Sequence, residues 1–129
     1  LREMRAILNY AIPSSMTDIS DGLARDLPKL CASSRVGARI DSTRLPRSDA
    51  LNRFSPSSAA IAWRGGEDYE LLFTLPPACT KRLLEEWNPE DGSITDIGEI
   101  VSAGDGIQVQ GLTREETGGF DHFRDLEDP

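Results

Sequence analysis

The run Met16-Thr17-Asp18-Ile19-Ser20-Asp21-Gly22-Leu23-Ala24-Arg25-Asp26-Leu27 changes its period halfway along. From Met16 to Ser20 apolar and polar residues alternate, as in a half-buried strand. From Gly22 to Ala32 the pattern is helical, with Leu23, Leu27 and Leu30 as its apolar stripe. A strand that turns directly into a helix predicts α/β layering. It also places Asp18, Ser20 and Asp21 on the turn between the two. The first N–H groups of a helix lack partners within it, and the positive end of its dipole lies there. A carboxylate at such a turn either caps the helix or holds a hard cation, which in turn holds phosphate. Taken alone, the spacing slightly favours the cap.

Upstream, Leu1, Met4, Arg5 and Leu8 recur at helical spacing, and Pro13 ends that helix. Downstream, Val36–Asp41 alternates as a strand. Thr43–Ser58 carries the weakest pattern, with a short helix expected over Asp49–Phe54 and another apolar helical patch over Ala59–Trp63. Gly65-Gly66-Glu67-Asp68-Tyr69-Glu70 then leads into the apolar strand Leu71–Leu75, expected to be buried on both faces, which Pro76-Pro77 terminates. Ala78–Trp87 reads as an amphipathic helix with Cys79, Leu83, Leu84 and Trp87 inward. Ile94–Val101 is expected as a strand with a bulge at Gly98. Gly104-Asp105-Gly106 reads as a hairpin turn into the strand Ile107–Gln110, and Thr113–Glu116 as a capped turn. The order α, β, α, β, α, β, α, β, β predicts one α/β (α+β) domain over residues 1–129, a mixed sheet covered by helices.

The charge balance narrows the partners. Lys+Arg is 14 against Asp+Glu 22, a net charge of −8. That argues against non-specific binding to nucleic acid or to an anionic membrane surface. Two cysteines, Cys31 and Cys79, without a CxxC read as reduced structural thiols of a cytoplasmic protein. With the single His122 they do not make a zinc site. No apolar run is long enough to span a membrane, and no signal peptide is visible. The chain opens at Leu1, already in a helical pattern, which suggests a piece of a longer protein.

Two further stretches carry chemistry. In Gly65–Glu70, paired glycines precede Glu67, Asp68 and Glu70, and such crowding of like charge is relieved by a cation or a cationic ligand. The bland alternative is a tight turn with charged edges. In Gly118-Gly119-Phe120-Asp121-His122-Phe123, Phe120 beside two glycines offers a ring to stack on a flat heteroaromatic ligand. His122 reads as a structural or solvent-facing polar residue.

TDISDGLARDL, VGARID, RLPRS, GGEDYELLFTLP, IGEI and GGFDHF, in this order and spacing, closely resemble the C-terminal half of the thiamine-monophosphate kinase family. That family lies in the superfamily of aminoimidazole ribonucleotide synthetase. The resemblance runs from about Leu1 to Phe123. It implies ATP-dependent, Mg2+-assisted phosphorylation of thiamine monophosphate to thiamine diphosphate, with several Mg2+ ions and a homodimer in the full-length enzyme. It implies an α/β sandwich like the C-terminal domain of the synthetase. It also implies a two-domain protein whose N-terminal half, absent here, supplies most metal ligands. Carried onto this sequence, Asp18 and Asp21 are Mg2+ ligands, Ser20 contacts ATP, and Glu67 and Phe120 contact the thiamine substrate. Many relatives carry Trp or Tyr where this chain has Phe120, so a polar contact there is lost. No catalytic residue beyond the metal ligands is implied. The alternative is a non-catalytic binding or regulatory module with the same fold.

Overall fold

The computed structural model describes residues 2–47, 53, 58–65 and 70–117. Its elements in chain order are α1 (Arg2–Leu8), β1 (Ser15–Asp18), α2 (Leu23–Ser34), β2 (Val36–Asp41), α3 (Ser58–Arg64), β3 (Leu71–Thr74), α4 (Pro77–Glu86), β4 (Gly98–Ser102) and β5 (Ile107–Gln110). This is the alternation that the sequence predicts. The expected helix over Asp49–Phe54 falls largely outside the described residues.

The strands divide into two sheets. β1 and β3 form an antiparallel ribbon, and β2 is the centre of a mixed sheet, antiparallel to β4 on one side and parallel to β5 on the other. The Gly104–Gly106 turn is therefore not a hairpin. It carries the chain across the start of β2, so that β4 and β5 flank that strand rather than each other. Gly37 makes this possible, since a Cβ there would lie 2.4 Å from the Gly106 carbonyl oxygen and 2.6 Å from that of Ser102. The Ala38 N–H then donates to the Gly106 carbonyl at 3.0 Å. Gly98 is not a bulge either. It pairs in register with Ile40, as the first residue of a strand shorter than expected.

One core joins the layers: Leu23, Leu27 and Cys31 of α2, Ala38 and Ile40 of β2, Leu45, Trp63 of α3 and Leu72 of β3. Burying each large aliphatic of this set is worth about 2 kcal/mol. Trp63 is fully enclosed. α2 runs through Pro28, which forgoes one helical hydrogen bond, and ends at Arg35, which adopts a left-handed φ of 56° and whose N–H donates to the Ala32 carbonyl at 3.2 Å.

Three faces differ from what the periodicity predicts. α1 buries Ala6 and Ile7, leaving Leu8 exposed, because its contact is with the turn after α4 rather than along a sheet. There Tyr10 packs against Trp87 with ring centroids 5.6 Å apart, and the Trp87 indole N–H donates to the Gly92 carbonyl at 2.9 Å. α4 buries Leu83 while Leu84 faces out. β3 buries Leu72 and leaves its other residues half-covered, since it has one strand neighbour among the described residues.

Candidate functional site

The two acidic motifs, some fifty residues apart in sequence, meet in space. The register of the ribbon sets Asp18 opposite Leu71, and the Ile19 N–H continues the ladder onto the Glu70 carbonyl at 2.7 Å. On the far side of the turn, Gly22 has φ 96°, a left-handed value that favours glycine. A Cβ on Gly22 would lie 2.6 Å from the Arg64 carbonyl oxygen and 2.7 Å from that of Gly65. Gly65 and Glu70 flank residues 66–69 in sequence, and both flanking residues rest against the Asp18–Gly22 turn. Glu67 itself lies outside the described residues, as does Phe120.

Within the turn, Asp18, Ser20 and Asp21 are exposed. Asp21 is not the helix cap. Gly22 holds that position, with no side-chain cap, and its carbonyl accepts from the N–H groups of Arg25 (3.1 Å) and Asp26 (2.9 Å). The carboxylate that organises the turn is Asp26, in α2. Its Oδ2 accepts from the backbone N–H of Ser20 at 2.7 Å and of Asp21 at 3.0 Å. Asp26 is buried, on the same face of α2 as Leu23 and Leu27. An Asp three positions past Leu23 and one before Leu27 carries that signal in the sequence, since it falls on the apolar stripe. Asp21 meets Lys29 at 3.4 Å, with both side chains more than half exposed, a contact worth well under about 1 kcal/mol.

A second feature adjoins the turn. An open depression of about 490 Å³ is lined by Ala60, Ile61, Arg64, Gly65, Glu115 and Glu116. Arg64 closes one side by donating from Nη2 to the Glu115 carbonyl. The opposite wall is stiffened by a reciprocal pair: Thr113 Oγ1 accepts from the Glu116 N–H at 3.1 Å, and Glu116 Oε1 accepts from the Thr113 N–H at 3.0 Å. This is the capping box that the Thr113–Glu116 pattern promised. In sequence, Glu67 follows the wall residue Gly65 by two positions and Phe120 follows Glu116 by four.

The donor set fits a hard cation in part. Asp18 and Asp21 supply two carboxylates and Ser20 a hydroxyl on one turn, and Mg2+ ordinarily takes one or two carboxylates from a protein, with water and phosphate completing its shell. Among the described residues no group of three or more His, Cys, Asp or Glu side chains is gathered to hold a metal. Among the described residues, too, no helix is long and apolar enough to cross a membrane.

Helices packed on a mixed sheet, with an acidic strand-to-helix turn at the end of the β1–β3 ribbon, make an α+β domain. Residues 2–110 match the family model AIR synthase related protein, C-terminal domain, and the chain belongs to that family. It is 49% identical over 122 residues to thiamine-monophosphate kinase of Escherichia coli strain K12, covering 87% of this chain and 36% of that protein. It resembles the crystal structure of thiamine-monophosphate kinase from Stenotrophomonas maltophilia K279a with a TM-score of 0.69 and 37% identity, over 77% of this chain and 32% of that one. A structure of AaThiL complexed with AMPPCP and TMP matches with a TM-score of 0.65 and 34% identity, over 84% of this chain and 33% of that one. The chain thus spans about a third of the length of the curated relatives it matches.

Proposed function

We propose that this chain is the C-terminal domain of a two-domain thiamine-monophosphate kinase. The whole enzyme would transfer the γ-phosphoryl group of ATP to thiamine monophosphate and release thiamine diphosphate. The observation that carries the reading is the meeting of the two motifs, through Ile19 with Glu70 and Gly22 with Gly65. The likeness to a kinase complex with AMPPCP, an ATP analogue, and TMP supports it.

Asp18 and Asp21 would hold Mg2+, and Ser20 would reach toward ATP. Glu67 and Phe120 would contact the thiamine substrate. Donor and acceptor here are both anionic phosphates, and bound Mg2+ supplies the charge neutralisation that lets them approach. The protein's own task is alignment. Carboxylates on a turn anchored to a β ladder and a buried helix face keep their direction better than loop residues would. The full-length enzyme is read as a cytoplasmic homodimer binding several Mg2+ ions, with no nucleic-acid or membrane partner.

The 129-residue chain by itself is expected to be inactive, because two carboxylates are too few for the metal count that such a reaction needs. In the full-length enzyme, Asp18→Asn and Asp21→Asn should each lower kcat strongly and raise the Mg2+ concentration needed for half-maximal rate. Wild-type kinetics and Mg2+ dependence in both variants would refute the assignment.

A further inference from the structure

We infer that Asp26 is a positioning residue for this turn, and that it makes the turn a receptor for a divalent cation rather than for a bare anion. The inference rests on the reading of Asp18 and Asp21 as cation ligands.

One oxygen, Oδ2 of Asp26, accepts from two consecutive amides, those of Ser20 and Asp21. Asp26 is well placed to hold them still. Its own N–H makes a helical bond to Gly22, and its side chain is 7% exposed among the residues of the buried α2 face. The amides it holds belong to exposed residues beside a glycine with φ 96°. Burial thus fixes the acceptor, and the acceptor fixes the turn.

The same bonds decide the chemistry of the outer face. Free backbone amides at a strand-to-helix turn can take an anion. Here both point at the protein's own carboxylate, which also adds negative charge behind the turn and disfavours a second anion there. The side chains that the turn presents to a ligand are all oxygen donors: the carboxylates of Asp18 and Asp21 and the hydroxyl of Ser20. A phosphate that these side chains hold is therefore held through a cation.

The test uses the 15N-labelled 129-residue chain, with Mn2+ and inorganic phosphate as separate probes. In the wild type the Ser20 and Asp21 amides should exchange slowly for exposed residues. Mn2+ at millimolar concentration should broaden the resonances of Asp18 to Gly22, and phosphate alone should leave them unshifted. Asp26→Leu keeps the branched shape without the acceptor, and should raise the Mn2+ midpoint by about 10- to 100-fold, the usual cost of losing a group that orients a metal ligand. Asp26→Asn keeps an acceptor oxygen and should fall between wild type and Asp26→Leu. Equal midpoints for the Asn and Leu variants would reduce Asp26 to a packing role and overturn the inference. So would unprotected Ser20 and Asp21 amides in the wild type, a measurement that stands even if Asp26→Leu fails to fold. Phosphate shifts at these amides would overturn the cation preference. If Mn2+ leaves the wild-type turn unbroadened while its amides are protected, the metal assignment fails and the clamp stands.

Discussion

Gly22 and Gly65 meet backbone to backbone: a Cβ on Gly22 would sit 2.7 Å from the Gly65 carbonyl oxygen. The glycine after the acidic turn is thus required twice, for its φ of 96° and for the close approach of the chain that leads to Glu67. Gly22→Ala should destabilise the fold by about 3 kcal/mol or more, since a left-handed backbone and an overpacked contact add. Urea unfolding of both proteins measures it. A loss below about 0.5 kcal/mol, the ordinary range of a surface substitution, would show that the two segments part easily.

Arg64 ties the end of α3 to the Thr113–Thr117 turn through the Glu115 carbonyl. In sequence, Glu67 follows Arg64 by three positions and Phe120 follows Glu115 by five. In the full-length enzyme, Arg64→Ala should raise KM for thiamine monophosphate by about tenfold, the value of one charge-assisted hydrogen bond, while kcat changes little. Arg64→Lys should recover part of the loss. An unchanged KM would place the substrate elsewhere.

The two thiols should behave differently. Cys31 is 1% exposed, and burial pushes its pKa from the ordinary 9.0 up to about 11. Cys79 is half-buried near the start of α4. At pH 8 a thiol reagent should therefore modify Cys79 alone in the native chain and both cysteines in urea. The raised value also sets a stability trend. Folding favours the neutral thiol, so the contribution is complete below pH 9 and is lost as the pH climbs toward 11. Melting temperatures across that window should fall, and Cys31→Ala should remove this component of the fall. Rapid labelling of Cys31 in the native chain at pH 8 would contradict the burial.

Much of the fold is legible in the residues alone. Val36–Asp41 and Ile107–Gln110 alternate cleanly, and both strands form where the pattern places them. The change of period at Asp18–Leu23 locates the turn. What stays hidden depends on contacts distant in sequence. Nothing local says that β2 will lie between β4 and β5, because Gly37 reads as any strand glycine until its neighbours are known. Asp26 is similar. An acidic residue in the first turns of a helix usually serves the dipole, and only its place on the stripe with Leu23 and Leu27 hints that it turns inward. The Arg64 tie cannot be foreseen at all, since its partner is a backbone carbonyl with no sequence signal.

The arrangement of the strands also sets when the molecule can assemble. Among the described residues every strand pairing is non-local: Ser15 and Thr74, which join β1 to β3, are 59 positions apart, and Arg39 and Glu99, which join β2 to β4, are 60 apart. Both sheets must therefore wait for distant partners, a topology that folds slowly and exposes strand edges meanwhile. On a ribosome, β1 would emerge with its acidic turn long before β3 is made. The turn and the Gly65–Glu70 segment would then come together in a single late closure, so a nascent chain short of Thr74 holds the acidic residues without the geometry that gives them a use.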